Sequence, residues 1–130
     1  MRVLLDTHTL AWAIGDPSRL GKNTRETLEN PTTQVLFSPA SIWEMGIKHA
    51  LGKWPEVAPF LDDALREELI VNLGATELPI ISRHTRLAGA FPMTHKDPFD
   101  RLLAAQATFE GLTILSADDA FDLFPVTRIW

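Results

Sequence analysis

Short strand-like runs separated by helix-like segments are the feature that most constrains the fold of this chain of 130 residues. The runs lie at 2–6, 34–37, 76–79, 112–115 and 126–129. Two of the segments between them begin with a capping residue followed by proline, Ser38-Pro39 and Asp97-Pro98, which is a typical helix start. Strands that alternate with helices predict a mainly parallel sheet covered by helices on both faces, an α/β fold.

The helical segments are predicted from apolar spacing, capping residues and breakers. They lie at 7–14, from a cap at 18 to about 29, from 39 to about 52, and at 57–69, 82–90 and 98–109. No internal repeat, linker or low-complexity tract divides the chain. The sequence therefore predicts a single domain over residues 1–130.

Composition narrows the class of protein. A hydrophobic content of 45% and a charged content of 22% are ordinary for a globular domain. The chain has no cysteine, which excludes disulfides and thiolate metal sites. No apolar run approaches the roughly 20 residues that span a bilayer. We expect a cytoplasmic protein with no membrane partner.

Five acids stand at or just after the predicted strands and helix starts: Asp6, Glu44, Asp97, Asp100 and Asp118. In a parallel sheet the carboxyl ends of the strands share one edge, so acids distant in sequence converge there. Carboxylates held together repel one another and lose hydration unless a cation is present. Oxygen ligands favour Mg²⁺ or Mn²⁺. The acids predict a metal-dependent enzyme that acts on phosphate.

Each acid also has a purely structural explanation. Asp6 and Asp97 suit the N-caps of the helices that follow them. Glu44 lies four residues before Lys48, so a surface ion pair is the alternative. Asp100 is favoured in a first helical turn by the helix dipole, and Asp118 suits a turn.

The net charge of −5 argues against a broad basic face for nucleic acid. Four acids gathered in one cleft would account for most of that excess negative charge. The net charge therefore weakens the case for nucleic-acid binding without refuting it.

The tryptophans are interpreted as core or interface anchors rather than base-stacking platforms, because they have no interleaved basic residues. They are Trp12, Trp43, Trp54 and Trp130.

Several enzyme classes lack their motifs. The chain has no Walker-type phosphate loop, no dinucleotide fingerprint and no Gly-x-Ser-x-Gly elbow. A receiver-like signalling domain needs an early acidic pair and a late lysine, but the only early acid is Asp6 and no lysine follows Lys96. A non-catalytic binding module whose acids only cap helices is the remaining alternative from another class.

Four motifs in order resemble a PIN-domain protein, and most of all the VapC-type toxin ribonucleases of toxin–antitoxin pairs. They are Leu4-Leu5-Asp6-Thr7-His8, Ser38-Pro39-Ala40-Ser41-Ile42-Trp43-Glu44-Met45, the segment from His95 to Ala107 with Asp97-Pro98-Phe99-Asp100-Arg101, and Leu115-Ser116-Ala117-Asp118. The resemblance implies a three-layer α/β/α fold with a short parallel sheet. It also implies hydrolysis of RNA phosphodiester bonds with Mg²⁺ or Mn²⁺.

The resemblance implies roles for individual residues. Asp6, Glu44, Asp100 and Asp118 would be the catalytic acids, with Asp6 and Asp100 as direct metal ligands. Glu44 and Asp118 would bind a second ion, hold metal-bound waters or orient the nucleophile. Asp97 matches an additional acid at the metal site. Three basic residues are candidates to steer the RNA, with a solvated surface charge as the alternative for each: Lys48, Lys96 and Arg101.

The resemblance further implies two protein partners, a cognate antitoxin that covers the cleft and a second copy in a homodimer. Trp43, Trp54 and Phe60 are candidates for contact with an antitoxin helix, with core packing as the alternative. A PIN-domain nuclease that processes RNA or DNA outside any toxin system is the alternative enzyme.

Overall fold

The computed structural model describes all residues, Met1–Trp130, and contains a five-stranded sheet in the order β3-β2-β1-β4-β5. Every neighbouring pair of strands is parallel. The strands are β1 Arg2–Leu5, β2 Gln34–Phe37, β3 Ala75–Glu77, β4 Thr113–Leu115 and β5 Arg128–Ile129. The predicted parallel sheet is confirmed, and its five strands overlap the predicted runs: β2 has the predicted bounds, β1, β4 and β5 are shorter, and β3 begins one residue earlier and ends two residues earlier.

Six α-helices and three 3-10 helices connect the strands. The α-helices are α1 Thr7–Gly15, α2 Lys22–Glu29, α3 Pro39–Ala50, α4 Asp63–Leu73, α5 Ser82–Ala90 and α6 Pro98–Glu110. The 3-10 helices are Pro17–Arg19, Pro55–Leu61 and Asp119–Leu123. None of the helices is long and apolar enough to cross a bilayer.

Two predicted helices are divided in the structure. The helix predicted at 57–69 is instead a 3-10 helix, Pro55–Leu61, followed by α4, because Asp62 between them has an extended backbone (φ −94°, ψ 120°). Asp62 then caps α4, its carboxylate accepting from the backbone N–H of Leu65 at 2.9 Å. The helix predicted from Ser18 is likewise a short 3-10 turn before α2, which begins after Gly21 without a side-chain cap.

Successive side chains of the buried strands point to opposite faces of the sheet, which creates two cores, one on each face. Val3 and Leu5 of β1 pack with residues of α1, α3 and α4, whereas Leu4 packs with residues of α6. Ile114 and Leu115 of β4 divide between the two faces in the same way. The protein is therefore a three-layer α/β/α structure, as predicted.

The strand order reverses at β1, which places β2 and β3 on one side and β4 and β5 on the other. Leu5 is in register with Leu115, and the backbone N–H of Asp6 donates to the carbonyl of Leu115 at 3.2 Å. Ligands of open parallel sheets bind in the crevice at such a reversal, beyond the carboxyl ends of the strands. Residues that immediately follow β1 and β4 therefore line the candidate site.

Candidate active site

Asp6 is buried at the point where β1 ends and α1 begins. One carboxylate oxygen accepts from the backbone N–H of Thr9 at 2.8 Å, so the predicted helix cap is present. The other oxygen accepts a short hydrogen bond from the hydroxyl of Ser116. Burial raises the pKa of the Asp6 carboxyl, opposed by the bonds from Ser116 and Thr9 and by nearby His8. Asp6 is thus more than a cap, because its second oxygen faces the neighbouring strand.

Ser116 connects Asp6 to Asp118. The Ser116 hydroxyl donates to Asp6, and its oxygen accepts from the backbone N–H of Asp118 at 3.0 Å. The Asp118 side chain is exposed and caps the following 3-10 helix, accepting from the backbone N–H of Ala120 at 2.9 Å. Asp118 therefore has the turn role considered from the sequence. Its backbone N–H is linked to the Asp6 carboxylate through the Ser116 hydroxyl.

Glu44 lies on α3 and is only 7% exposed. Its carboxylate is 2.8 Å from the ammonium of Lys48, so the ion pair considered from the sequence exists. Only Lys48 reaches the surface, since its side chain is 36% exposed whereas Glu44 is buried.

A second contact connects the start of α1 to α3. The hydroxyl of Thr7 donates to the hydroxyl of Ser41 at 3.0 Å.

Asp100 lies in the first turn of α6 and is partly buried. Its carboxylate is 2.9 Å from Nε2 of His95. Burial raises the pKa of Asp100 to about 6; the hydrogen bond from His95 opposes this rise, and the charges of Asp97 and Glu44 add to it. The helices that carry Glu44 and Asp100 are in contact, since Trp43 of α3 packs against Phe99 of α6.

Asp97 is exposed and is the N-cap of α6, accepting from the backbone N–H of Asp100 at 3.0 Å. Its position agrees with the capping explanation. Its charge nevertheless reaches the site, because it contributes to the raised pKa of Asp100.

Arg101 does not face the site, so the prediction that it steers RNA is wrong. Arg101 is only 6% exposed, and its guanidinium donates to the backbone carbonyls of the segment before α6. The acceptors are Ala88, Gly89, Phe91, Pro92 and His95, at 2.7–3.5 Å. Arg101 therefore fixes the segment that carries His95, a residue whose role the sequence did not reveal.

The aromatic residues considered for an antitoxin contact differ in exposure, and the core-packing alternative holds for Phe60. Phe60 is buried in the core, whereas Trp43 is 63% exposed and packs edge-on against Phe99 at 4.9 Å between ring centroids. Trp12 and Trp54 each have a cation over the ring, so the interpretation that the tryptophans lack basic neighbours is wrong for these two.

The structure thus shows two sets of linked acids rather than one cluster. The Ser116 hydroxyl bonds the Asp6 carboxylate and the backbone N–H of Asp118, while the charges of Asp97 and Glu44 raise the pKa of Asp100. No three of the acidic and histidine side chains are arranged as a metal-binding group. The donors are nonetheless all carboxylate oxygens, and two of them have a raised pKa because burial disfavours their negative charge. This chemistry suits a hard divalent cation.

The family model of the PIN domain matches residues 3–126. Among solved structures, VapBC2 from Rickettsia felis bound to a promoter DNA fragment has a TM-score of 0.71 at 15% identity, covering 99% of this chain and 98% of that chain. DNA-bound VapBC from Salmonella typhimurium has a TM-score of 0.69 at 19% identity, covering 100% and 97%. FitAcB from Neisseria gonorrhoeae has a TM-score of 0.60 at 21% identity, covering 100% and 97%. No curated protein sequence matches the chain.

Asp100→Asn should stabilise the protein at neutral pH. The carboxyl ionises near 3.8 in the unfolded chain and near 6 in the folded one, so the folded state binds the extra proton and stability falls as the pH rises between these values. The variant should gain about 1–3 kcal/mol in the free energy of unfolding at pH 7.5 and none near pH 4. Urea unfolding at both pH values measures this; a gain that is equal at the two would contradict it. Exposed Glu67→Gln is the control.

Arg101→Gln should destabilise the protein strongly. The shorter amide cannot reach the carbonyls that Arg101 now satisfies, and each buried acceptor without a partner costs about 1–3 kcal/mol. We expect a loss of at least about 3 kcal/mol in the free energy of unfolding. Arg83→Gln removes the same charge from exposed Arg83 on α5 and should change stability by less than about 0.5 kcal/mol. Equal urea midpoints for the two variants would contradict the assigned role.

Proposed function

Because the chain belongs to the PIN-domain family, we propose that it is a divalent-metal-dependent ribonuclease and the toxin of a toxin–antitoxin pair. The observation that carries the proposal is the placement of Asp6 and Asp100. Asp6 is buried directly after β1, where the strand order reverses, and Asp100 is partly buried in the first turn of α6. Burial raises the pKa of both. Carboxylates that only cap helices gain nothing from such burial.

Asp6 and Asp100 would hold Mg²⁺ or Mn²⁺ directly. Glu44 and Asp118 would bind a second ion or orient metal-bound waters. Asp97 would add negative charge at the edge of the metal site. When bound, such an ion activates a water molecule and offsets charge on the phosphate. Lys48 and His95 each contact only one carboxylate oxygen of Glu44 and Asp100, so the other oxygen of each acid remains for the ion.

The surrounding residues of the chain position the acids. Ser116 orients Asp6 through its hydroxyl, and His95 orients Asp100 through Nε2. Arg101 holds the His95 carbonyl at 2.9 Å, so the orienting group is itself fixed by a buried network. Lys48 supplies a positive charge beside Glu44 that is available to a phosphate. Partners that hold the acid ligands in this way are characteristic of built metal sites.

The toxin assignment is supported by the motifs that resemble VapC-type toxins and by the similarity in fold to proteins named VapBC and FitAcB. On this proposal an antitoxin restrains the enzyme, which acts in the cytoplasm as a homodimer. The substrate is RNA, through hydrolysis of its phosphodiester bonds.

Cleavage of RNA should require the two central acids. Asp6→Asn and Asp100→Asn keep the side-chain volume but remove a charged ligand, so each should lower the cleavage rate at least about a hundredfold. A chelator should abolish wild-type cleavage, and Mn²⁺ should restore it. Asp97→Asn is the matched control and should lose less, because asparagine remains a good N-cap. Folded Asp6→Asn and Asp100→Asn proteins that cleave at the wild-type rate would refute the proposal.

Expression of the chain alone should slow bacterial growth, and Asp6→Asn should relieve this effect at matched soluble protein levels. The substitution removes charge at nearly constant volume, so toxicity would track catalysis rather than misfolding. Growth curves after induction measure the difference. Normal growth with a wild-type enzyme that cleaves RNA in vitro would indicate a processing nuclease outside any toxin system. Equal toxicity of the two proteins would show that catalysis is not the cause.

A further inference from the structure

Lys48 is held more closely than a lysine in an ordinary surface ion pair. Its ammonium lies 2.8 Å from one carboxylate oxygen of Glu44, whose side chain is buried. Lys22 and Glu26 on α2 have the same spacing of four residues, but they are 4.0 Å apart and their side chains are 86% and 63% exposed. Water screens the charges of the α2 pair, whereas the buried charge of Glu44 is offset by Lys48.

A second contact fixes the Lys48 ammonium. Trp54 follows the end of α3, and its ring centroid lies 5.5 Å from the ammonium. The chain turns back here because Gly52 adopts a left-handed conformation (φ 70°) and the backbone N–H of Lys53 donates to the Lys48 carbonyl at 2.9 Å. A lysine that contacts both a carboxylate and an aromatic ring loses much of the freedom that an exposed lysine retains.

The position of Lys48 distinguishes two roles open to Glu44, contact with a second metal ion or orientation of metal-bound water. An ion that coordinated Glu44 would stand beside the Lys48 ammonium, because both would contact the same carboxylate. Like charges this close repel one another, and the burial of Glu44 limits screening by water. Lys48 therefore competes with a second ion for the charge of Glu44.

We propose that the Lys48 ammonium takes the place of a second metal ion, so that the chain binds a single divalent cation, at Asp6 and Asp100. This inference rests on the proposed function of a metal-dependent nuclease. It assigns Glu44 to holding Lys48 and, through its other carboxylate oxygen, a metal-bound water. The ammonium then offsets charge on the phosphate, as the second ion does in two-metal sites.

Isothermal titration calorimetry with Mn²⁺ alone counts the ions that each protein binds and measures their affinities. The wild type should bind one ion per chain. Lys48→Met keeps an unbranched apolar side chain but removes the ammonium, so Glu44 becomes free to accept a second ion. The count should rise from one to two, with the second ion bound at least about tenfold more tightly than any second ion on the wild type.

Further variants test whether charge is the cause and Glu44 the ligand. Lys48→Arg retains the positive charge and should keep a single ion. Lys48→Met combined with Glu44→Gln also removes the carboxylate, and should return the count from two to one. Lys22→Met is the matched control, because it removes a lysine from the exposed pair on α2, and should leave the count at one.

Thermal melting checks that each variant is folded. Lys48→Gln keeps a hydrogen-bond donor beside Glu44 while it removes the charge, so this variant replaces Lys48→Met if the latter does not fold. It too should bind two ions.

Two ions per chain on the wild type would overturn the inference, as would a single ion on folded Lys48→Met and Lys48→Gln proteins. A lower melting temperature of these variants with an unchanged ion count would show that the pair is only structural, and the inference would again be wrong. In each case cleavage of RNA by the wild type would leave the proposed function standing. A wild type that binds no Mn²⁺ and cleaves no RNA would instead refute the function itself, and the inference with it.

Discussion

The parallel pairing of β1 with β4 is the constraint on which the rest of the structure depends. It sets Leu5 beside Leu115, so that the next residues of the two strands, Asp6 and Ser116, emerge side by side. The Leu115 carbonyl accepts from the backbone of Asp6 and from the hydroxyl of Thr9 at 2.8 Å, which fixes the first turn of α1 to the neighbouring strand. A shift of register by one residue would exchange the two cores and separate Asp6 from its partner.

Burying acids at this edge opposes folding, and the chain offsets the cost with specific partners for each acid. Asp6 receives a hydroxyl and a backbone N–H, Glu44 a lysine, and Asp100 a histidine. Most of these partners are local, since Thr9, Lys48 and His95 lie within five residues of the acids that they contact. The Ser116 hydroxyl comes from the other end of the chain, so its contact with Asp6 depends on the pairing of β1 with β4.

Local signals in the sequence predicted the elements well, because caps, prolines and apolar runs act over a few residues. Asp97-Pro98 predicts the start of α6, and the run before Asp6 predicts β1. The same signals did not reveal Arg101 as a buried donor, since its acceptors belong to another segment. The spacing did indicate the pair of Lys48 with Glu44, but not that Lys48 also lies over Trp54. Such roles depend on which helices pack together, which spacing along one helix does not determine.

The two outer strands of the sheet have a consequence for behaviour at high concentration. β3 has three residues and β5 has two, so each edge exposes very few unpaired backbone groups. A longer bare edge would serve as a template for strands of other molecules and favour aggregation. The strands rich in buried apolar residues, β1, β2 and β4, are instead shielded in the middle of the sheet. The topology that gathers the acids thus also protects the folded chain from self-association through its backbone.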